Sequence, residues 1–323
     1  MAVARTLIGV ASLVTVVLLW AASALVIKMV TGEGEPKAGA LLLTFYSQAH
    51  CIVLLLPLVW KRTGMADVFR AISPMRILIL GLLYNLAQAA YNLSFKYLSL
   101  TTNTILSSSS PLFTFIFGLL VLRQRFLWLS GLGVLGAIGG GALTALFKPT
   151  LPGKESTELD SLTGKVLAVG GAVVFGLVNT LMRKWLKEEK HTDTLFGLIG
   201  VISIVIAGPV LAVAHFSRVE VFMLPPEDCW WIMSLNALLG TVLSSYLWGV
   251  SVTILGPMIV SVCVVATIPV CAVIDQIRHQ LSFSPEYVTG MVLVILAVSV
   301  VAYDQTRYSN EQVKDEGDAV SAI

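Results

Sequence analysis

The fold this sequence predicts is an all-α membrane protein, with ten transmembrane helices arranged as two inverted five-helix repeats. Three observations predict it. Hydrophobic residues make up 56% of the 323-residue chain and charged residues only 12%, about half of the roughly 25% usual in soluble domains. Apolar stretches recur from residue 7 to residue 303, and a helix needs ~20 such residues to cross the hydrocarbon core. The first half of the chain also aligns with the second. In lipid only helices and closed barrels satisfy every backbone group. Barrel strands would alternate over ~10-residue segments, whereas the runs here are continuous.

In order, the spans are predicted at 6–28, 38–60, 75–96, 101–122, 127–147, 163–184, 194–215, 230–254, 256–276 and 285–305. The polar run Thr31 to Pro36 ends the first. Lys61, Arg62, Arg70 and Arg76 flank the gap between the second and third. The fourth carries Ser107 to Ser110 immediately before Pro111. The longest internal loop, Lys148 to Leu162, follows the fifth, and Ser282 to Pro285 leads into the tenth. The chain therefore divides into a first unit at 1–147, a loop at 148–162, a second unit at 163–305 and a polar, acidic tail at 306–323 read as disordered. A signal-peptide reading of the first helix starts from Arg5 and Ala22-Ser23-Ala24. Its apolar stretch is long for that role, and the helix has a counterpart in the second half.

Lys and Arg favour the cytoplasmic side of a membrane. With the N-terminus inside, the inside segments hold Arg5, Lys61, Arg62, Arg70, Arg76, Arg123, Arg125, Arg183, Lys184, Lys187, Lys190, Arg307 and Lys314. The outside segments hold Lys37, Lys96, Lys148, Lys154, Lys165, Arg218 and Arg278. The excess predicts that both termini are cytosolic. Cys51, Cys229, Cys263 and Cys271 form neither a metal spacing nor a disulfide framework and read as apolar packing. The sequon at Asn92 falls inside a span and is discounted.

An offset of 158 residues lays Pro111 on Pro269, Ser99 on Pro257 and Ala90 on Trp248. Near the start an offset of 155 lays Trp20 on Phe175, Ile27 on Met182 and Lys28 on Arg183. Five helices is an odd number, so the second unit enters from the opposite face. Such an inverted repeat is a frequent plan of secondary transporters, with the binding site near the midplane between the units.

Leu19-Trp20 through Lys28 in helix 1 is similar to the opening of EamA-type proteins in the drug/metabolite transporter superfamily. Thr104 to Thr114 in helix 4, Leu239 to Trp248 in helix 8, Ala266 to Pro269 in helix 9 and Ser282 to Pro285 resemble the F branch of solute carrier family 35, with its thiamine-repressible fungal relatives. The resemblance covers residues 75–303 well and helices 1–2 loosely. It implies ten helices, cytosolic termini, alternating access and a small polar metabolite as cargo. It points to an internal membrane, Golgi or vacuole, with plasma membrane as the alternative. That branch usually has an acidic residue where Ser245 stands, so the resemblance carries no proton-coupling carboxylate over to this chain.

Polar residues inside a membrane helix are costly and usually face the bundle interior. Helix 3 is the richest in them. Tyr84, Gln88 and Tyr91 recur at helical spacing, with Asn85 and Asn92 beside them. Aromatic faces with amide donors and acceptors suit a sugar, nucleobase or other heteroaromatic ring; the alternative is interhelical hydrogen bonding. In helix 8, Tyr246 and Trp248 are candidate contacts, while Gly240 and Ser244 read as a close-packing seam. Pro111 and Pro269 mark bends or simple kinks. Lys28 and Arg183 either meet an anionic cargo or snorkel to the interface. His50 is a candidate proton carrier but reads more readily as a packing residue.

No Asp or Glu stands mid-helix; Asp275 and Asp304 lie near helix ends. Proton-driven transporters usually place a carboxylate or histidine in the pathway. The pattern therefore favours a facilitator or exchanger of an anionic or neutral polar cargo, nucleotide- and nucleoside-like molecules among the candidates. It disfavours a naked organic cation. An intramembrane enzyme lacks its constellation, since His50, His191, His215 and His279 are scattered and neither a zinc-protease helix nor a nucleophile elbow is present. A channel would need a filter or charged ring. A non-transporting scaffold or receptor stays open. The expected partners are a small-molecule substrate and the lipid bilayer, with a homodimer as an open assembly, no nucleic acid and no cofactor.

Overall fold

The computed structural model of the chain describes residues 2–31, 38–56, 69, 72–94, 96–98, 103, 106–107, 109–147, 161–186, 191–270 and 284–321. Among these residues all regular structure is helical and no strand occurs. The helices are α1 (Ala2–Thr31), α2 (Ala40–Ala49, continued by a 3₁₀ segment His50–Leu55), α3 (Pro74–Ser94), α4 (Ser110–Val121) and α5 (Trp128–Leu146). They continue with α6 (Leu162–Trp185) and α7 (Thr192–Phe216). Next, α8 runs as an α-helix over Glu227–Asn236, a π-helix over Ala237–Leu243 and an α-helix again over Ser244–Leu255. The last are α9 (Pro257–Val264) and α10 (Pro285–Ser321). The helical backbone of α10 thus runs on through the stretch read from sequence as a tail.

Among the described residues six helices are long and apolar enough to cross a membrane: Ala4–Ser23, Pro74–Ser94, Leu162–Trp185, Thr192–Phe216, Glu227–Leu255 and Pro285–Gln305. The protein is therefore an integral, multi-pass membrane protein. Among the described residues four further apolar helical segments are seen, Ala40–Leu55, Ser110–Val121, Trp128–Thr144 and Pro257–Val270, and the predicted spans at 38–60, 101–122 and 256–276 each include residues outside the description. Proline shapes two of these segments. Proline has no N–H and clashes with the preceding turn, so it favours the first turn of a helix. Pro111 takes that place in α4, after a turn at Ser109. Pro269 likewise follows a turn at Val265 and Ala266, where i→i−3 bonds replace the α-helical ladder. Among the described residues, turns thus lie just upstream of both prolines, where bends were predicted.

Helix faces sort as expected for a bundle in lipid. On α3, Ile77, Leu80, Tyr84 and Ala87 are buried, while Leu78, Ile79, Leu82 and Leu86 are exposed. The largest core cluster joins α1, α3, α6, α7, α8 and α9 at one end of the bundle, through residues such as Leu13, Ile77, Leu80, Met182, Leu195, Phe196, Trp248 and Val252. At the opposite end the cores are separate. One holds Leu41, Phe45, Leu93 and Ala214; another holds Val30, Leu43, Cys229 and Met233.

Lipid tails are as apolar as leucine, so helices associate through close packing and polar contacts instead of hydrophobic drive. α5 and α10 meet backbone to backbone. A Cβ at Gly140 would lie 2.8 Å from Gly290 O, and one at Gly290 would lie 2.8 Å from Gly140 O. Two carboxylates cap helices that start far away in sequence. Asp304 accepts from Ser130 N at 2.8 Å and from Ser130 Oγ at 2.7 Å. Glu220 accepts from Ala40 N and Leu41 N, both at 2.9 Å. Unpaired N–H groups and the positive end of the helix dipole make both contacts favourable.

Candidate functional site

The helical period of α3 aims Tyr84 at the middle of the bundle, where it is 1% exposed. A buried phenol needs a hydrogen-bond partner. Tyr84 Oη shares a 2.9 Å bond with Ser245 Oγ on α8, and the side chains of Gln48 and Gln88 also approach it. One turn beyond Ser245, Trp248 is wholly buried. Its ring stacks on Phe175 of α6 at 5.3 Å and 24°. Tyr84 lies 5.9 Å away, and Phe196 of α7 presents an edge at 5.9 Å. Trp20 of α1 joins this aromatic layer through Phe175, at 6.4 Å.

The two indoles differ in one respect. Trp20 Nε1 donates to Ser244 Oγ at 2.9 Å, and Ser244 passes its own proton to Gly240 O at 2.5 Å. Among the described residues Trp248 Nε1 has no partner. Gly240 lies in the π-helical stretch, where a Cβ would come within 2.7 Å of Ser23 Oγ on α1. Its role is the close approach of α1 and α8. A π-helical turn widens the helix and is frequent at functional sites.

The five polar residues singled out on helix 3 do not share one destination. Tyr84 and Gln88 turn toward the aromatic layer. Asn85 is held by α7: it accepts from Ser203 Oγ at 2.7 Å and donates to Gly81 O at 2.8 Å. Asn92 donates to Thr44 Oγ1 on α2 at 2.8 Å. Tyr91 is 37% exposed. In α8, Tyr246 is half-buried and lies toward Asp193 at the start of α7, away from Trp248. Arg183 is exposed in the last turn of α6, where a cation suits the helix dipole. The side chain of Lys28 lies outside the described residues. His50 is half-buried at the junction of α2 and its 3₁₀ segment, with Nδ1 2.8 Å from Tyr46 O. That carbonyl can only accept, so Nδ1 carries the proton.

Reading the sequence missed several members of this centre. Gln48 is 2% exposed beside the Tyr84 phenol; its signal was an amide within an apolar run. Trp20 and Phe175 already align at the 155-residue offset. Phe196 gave no signal, since one more phenylalanine in a membrane helix is unremarkable. A second polar chain joins three helices: Asn179 Nδ2 donates to Ser261 Oγ at 3.1 Å, and Ser261 Oγ donates to Thr114 Oγ1 at 2.9 Å. Among the described residues no group of three or more His, Cys, Asp or Glu could hold a metal ion. The centre thus offers aromatic faces, amides and hydroxyls. Those groups suit a flat ring with polar edges.

Comparison with known proteins agrees with this architecture. Residues 7–146 match the EamA-like transporter family. An uncharacterized transporter of Schizosaccharomyces pombe is 28% identical over 66% of this chain and 64% of its own length. Solute carrier family 35 member F5 of Macaca fascicularis is 25% identical over 67% of this chain and 50% of its own. An uncharacterized vacuolar membrane protein of Saccharomyces cerevisiae is 24% identical over 66% of this chain and 57% of its own. The chain therefore covers less than two thirds of each of these relatives. A solved crystal structure superposes with a TM-score of 0.72 at 16% identity, over 94% of this chain and 98% of that one, and so shares its fold.

Proposed function

We propose that this relative of the EamA-like transporters carries a small polar metabolite across a membrane by alternating access. The single observation behind this reading is the aromatic and amide centre where α1, α3, α6 and α8 meet. A purely structural bundle has little need to gather Tyr84, Gln88, Gln48, Ser245 and Trp248 at its middle, because buried polar groups in membrane helices are costly.

Ten spans in two inverted units, 1–147 and 163–305 joined by 148–162, make the best frame for that centre. The packing supports it. α1 lies against α8 as α6 lies against α3, and α5 pairs with α10. These are the partners that exchange, or stay paired, when the first unit is swapped for the second. Trp20 and Phe175, equivalent by offset, touch each other. The two mouths would then open alternately as one unit rocks against the other.

Cargo contact is assigned to Gln88, Tyr84 and Trp248, with Tyr91 and Tyr246 nearer the two ends of the path. Asn85 and Asn92, engaged by α7 and α2, position α3. The breaks before Pro111 and Pro269 provide flexible points. Arg183, with Lys28 as its counterpart, draws an anionic cargo to one mouth. Three described carboxylates are engaged near helix starts: Asp304 and Glu220 each cap a distant helix, and Asp193 accepts from Thr194 N. Their engagement supports facilitated diffusion or exchange over proton coupling. Both termini are assigned to the cytosol, and an endomembrane is favoured by the vacuolar relative.

Counterflow tests the reading. The purified chain in liposomes, preloaded with one metabolite of a mixed panel, should accumulate the same radiolabelled metabolite from outside. A panel of nucleosides, nucleotides, sugars and organic anions that gives no counterflow above empty liposomes would overturn it.

A further inference from the structure

We infer that Trp248 is a two-way gate, biased toward closing by its ring and toward opening by its unpaired N–H. The inference deepens the transporter reading above and rests on it for its meaning, though not for its test.

The closed arrangement comes first. Trp248 is wholly buried, stacked on Phe175 at 5.3 Å and flanked by Tyr84 and Phe196 at 5.9 Å. These four rings come from α8, α6, α3 and α7. Behind them, toward one end, one apolar core is continuous through Ile77, Leu80, Met182, Leu186, Leu195 and Val252. Toward the other end the same helices are held in two separate clusters. The layer therefore seals one mouth of the bundle, and polar groups on Ser245 and Gln88 stand at its edge.

Among the described residues, buried donors without a partner at this seal include Trp248 Nε1 and Thr192 Oγ1, the latter beside Phe196 at Gly249. Trp248 Nε1 has no partner among the described residues, whereas Trp20 Nε1, a neighbour in the same layer, has Ser244. Leaving a buried donor unmade costs free energy that water or a polar group would return. Ring stacking and apolar burial hold the gate shut, while the bare N–H works against them. Parting the layer frees the indole to reach water, Ser245 or cargo. A state is favoured by whatever interacts with it differentially, so removing the N–H alone must shift the balance toward closed. Removing the ring must shift it toward open.

Thiol reporters measure that balance without any cargo. Leu80→Cys on α3, 1% exposed, and Val252→Cys on α8, wholly buried, both lie behind the layer. A charged maleimide is added to either face of vesicles in turn, and labelling at each site is followed by mass spectrometry. Trp248→Ala should label both reporters at least about tenfold faster than the parent, and Trp248→Phe roughly five- to tenfold slower, in line with the usual cost of an unmade buried bond. Ala137→Cys, in the separate core of α5 and α10, is the control for general loosening. If it too labels faster in Trp248→Ala, the Trp248→Phe arm alone decides. Equal or faster labelling in Trp248→Phe would overturn the role of the N–H. Unchanged labelling in Trp248→Ala, with the control silent, would overturn the gate. Counterflow can fail while these labelling rates hold, so the two readings fall separately.

Discussion

Tyr84 and Ser245, 161 residues apart, share a 2.9 Å hydrogen bond between α3 and α8, with each residue only 1% exposed. Both hydroxyls are buried, so removing the phenol takes this partner from Ser245, while Gln48 and Gln88 still approach Tyr84 when Ser245 is removed. Tyr84→Phe should lower stability by about 1 kcal/mol and reduce the melting temperature in detergent. Tyr84→Phe with Ser245→Ala should cost less than the sum of the two single changes. Strict additivity would mean that the bond contributes nothing.

Gln88 offers an amide beside the aromatic layer without being sealed inside it. Gln88→Ala should weaken counterflow while expression and melting temperature stay near the parent's. Lost expression with unchanged transport per molecule would make it a packing residue instead.

Asp304 holds two donors of Ser130 near the start of α5. Asp304→Ala removes the capping carboxylate and should destabilise the chain by about 1–2 kcal/mol, the usual range for a lost cap. Asp304→Asn keeps an acceptor and should lose less. Thermal unfolding in detergent reads both, and equal losses would point to charge alone.

Neighbouring glycines on α5 should respond in opposite ways. Gly140→Ala drives a methyl to within 2.8 Å of Gly290 O and 2.9 Å of Val294 N, and forcing packed backbones apart costs about 1–3 kcal/mol. Gly139→Ala meets nothing within 4 Å and should be neutral or slightly stabilising, because alanine is the better helix former. Comparable melting temperatures for the two would contradict the close approach of α5 and α10.

Orientation is open to a direct test. Tags on both termini should bind antibody only after the cytosolic face is exposed. Binding to either tag from the lumenal face would reverse the assignment drawn from Lys and Arg.

Much of the architecture was legible in the chain, because lipid imposes one dominant rule. A segment that crosses it must be helical and apolar, and composition alone reveals such segments. The long helices at α1, α3, α6, α7, α8 and α10 follow from that rule. Whether Pro111 kinks a helix or starts one depends on the backbone before it, which the sequence leaves free. The site was legible by residue type but not by direction. Tyr84, Asn85, Gln88 and Asn92 all read as pathway residues. Within lipid every polar side chain seeks a partner, and which helix supplies it is a matter of packing. Ser203 takes Asn85, Thr44 takes Asn92 and Ser245 takes Tyr84. Only the assembled bundle pairs groups so far apart in sequence, and only there does Trp248 come out buried with its N–H unmet among the described residues.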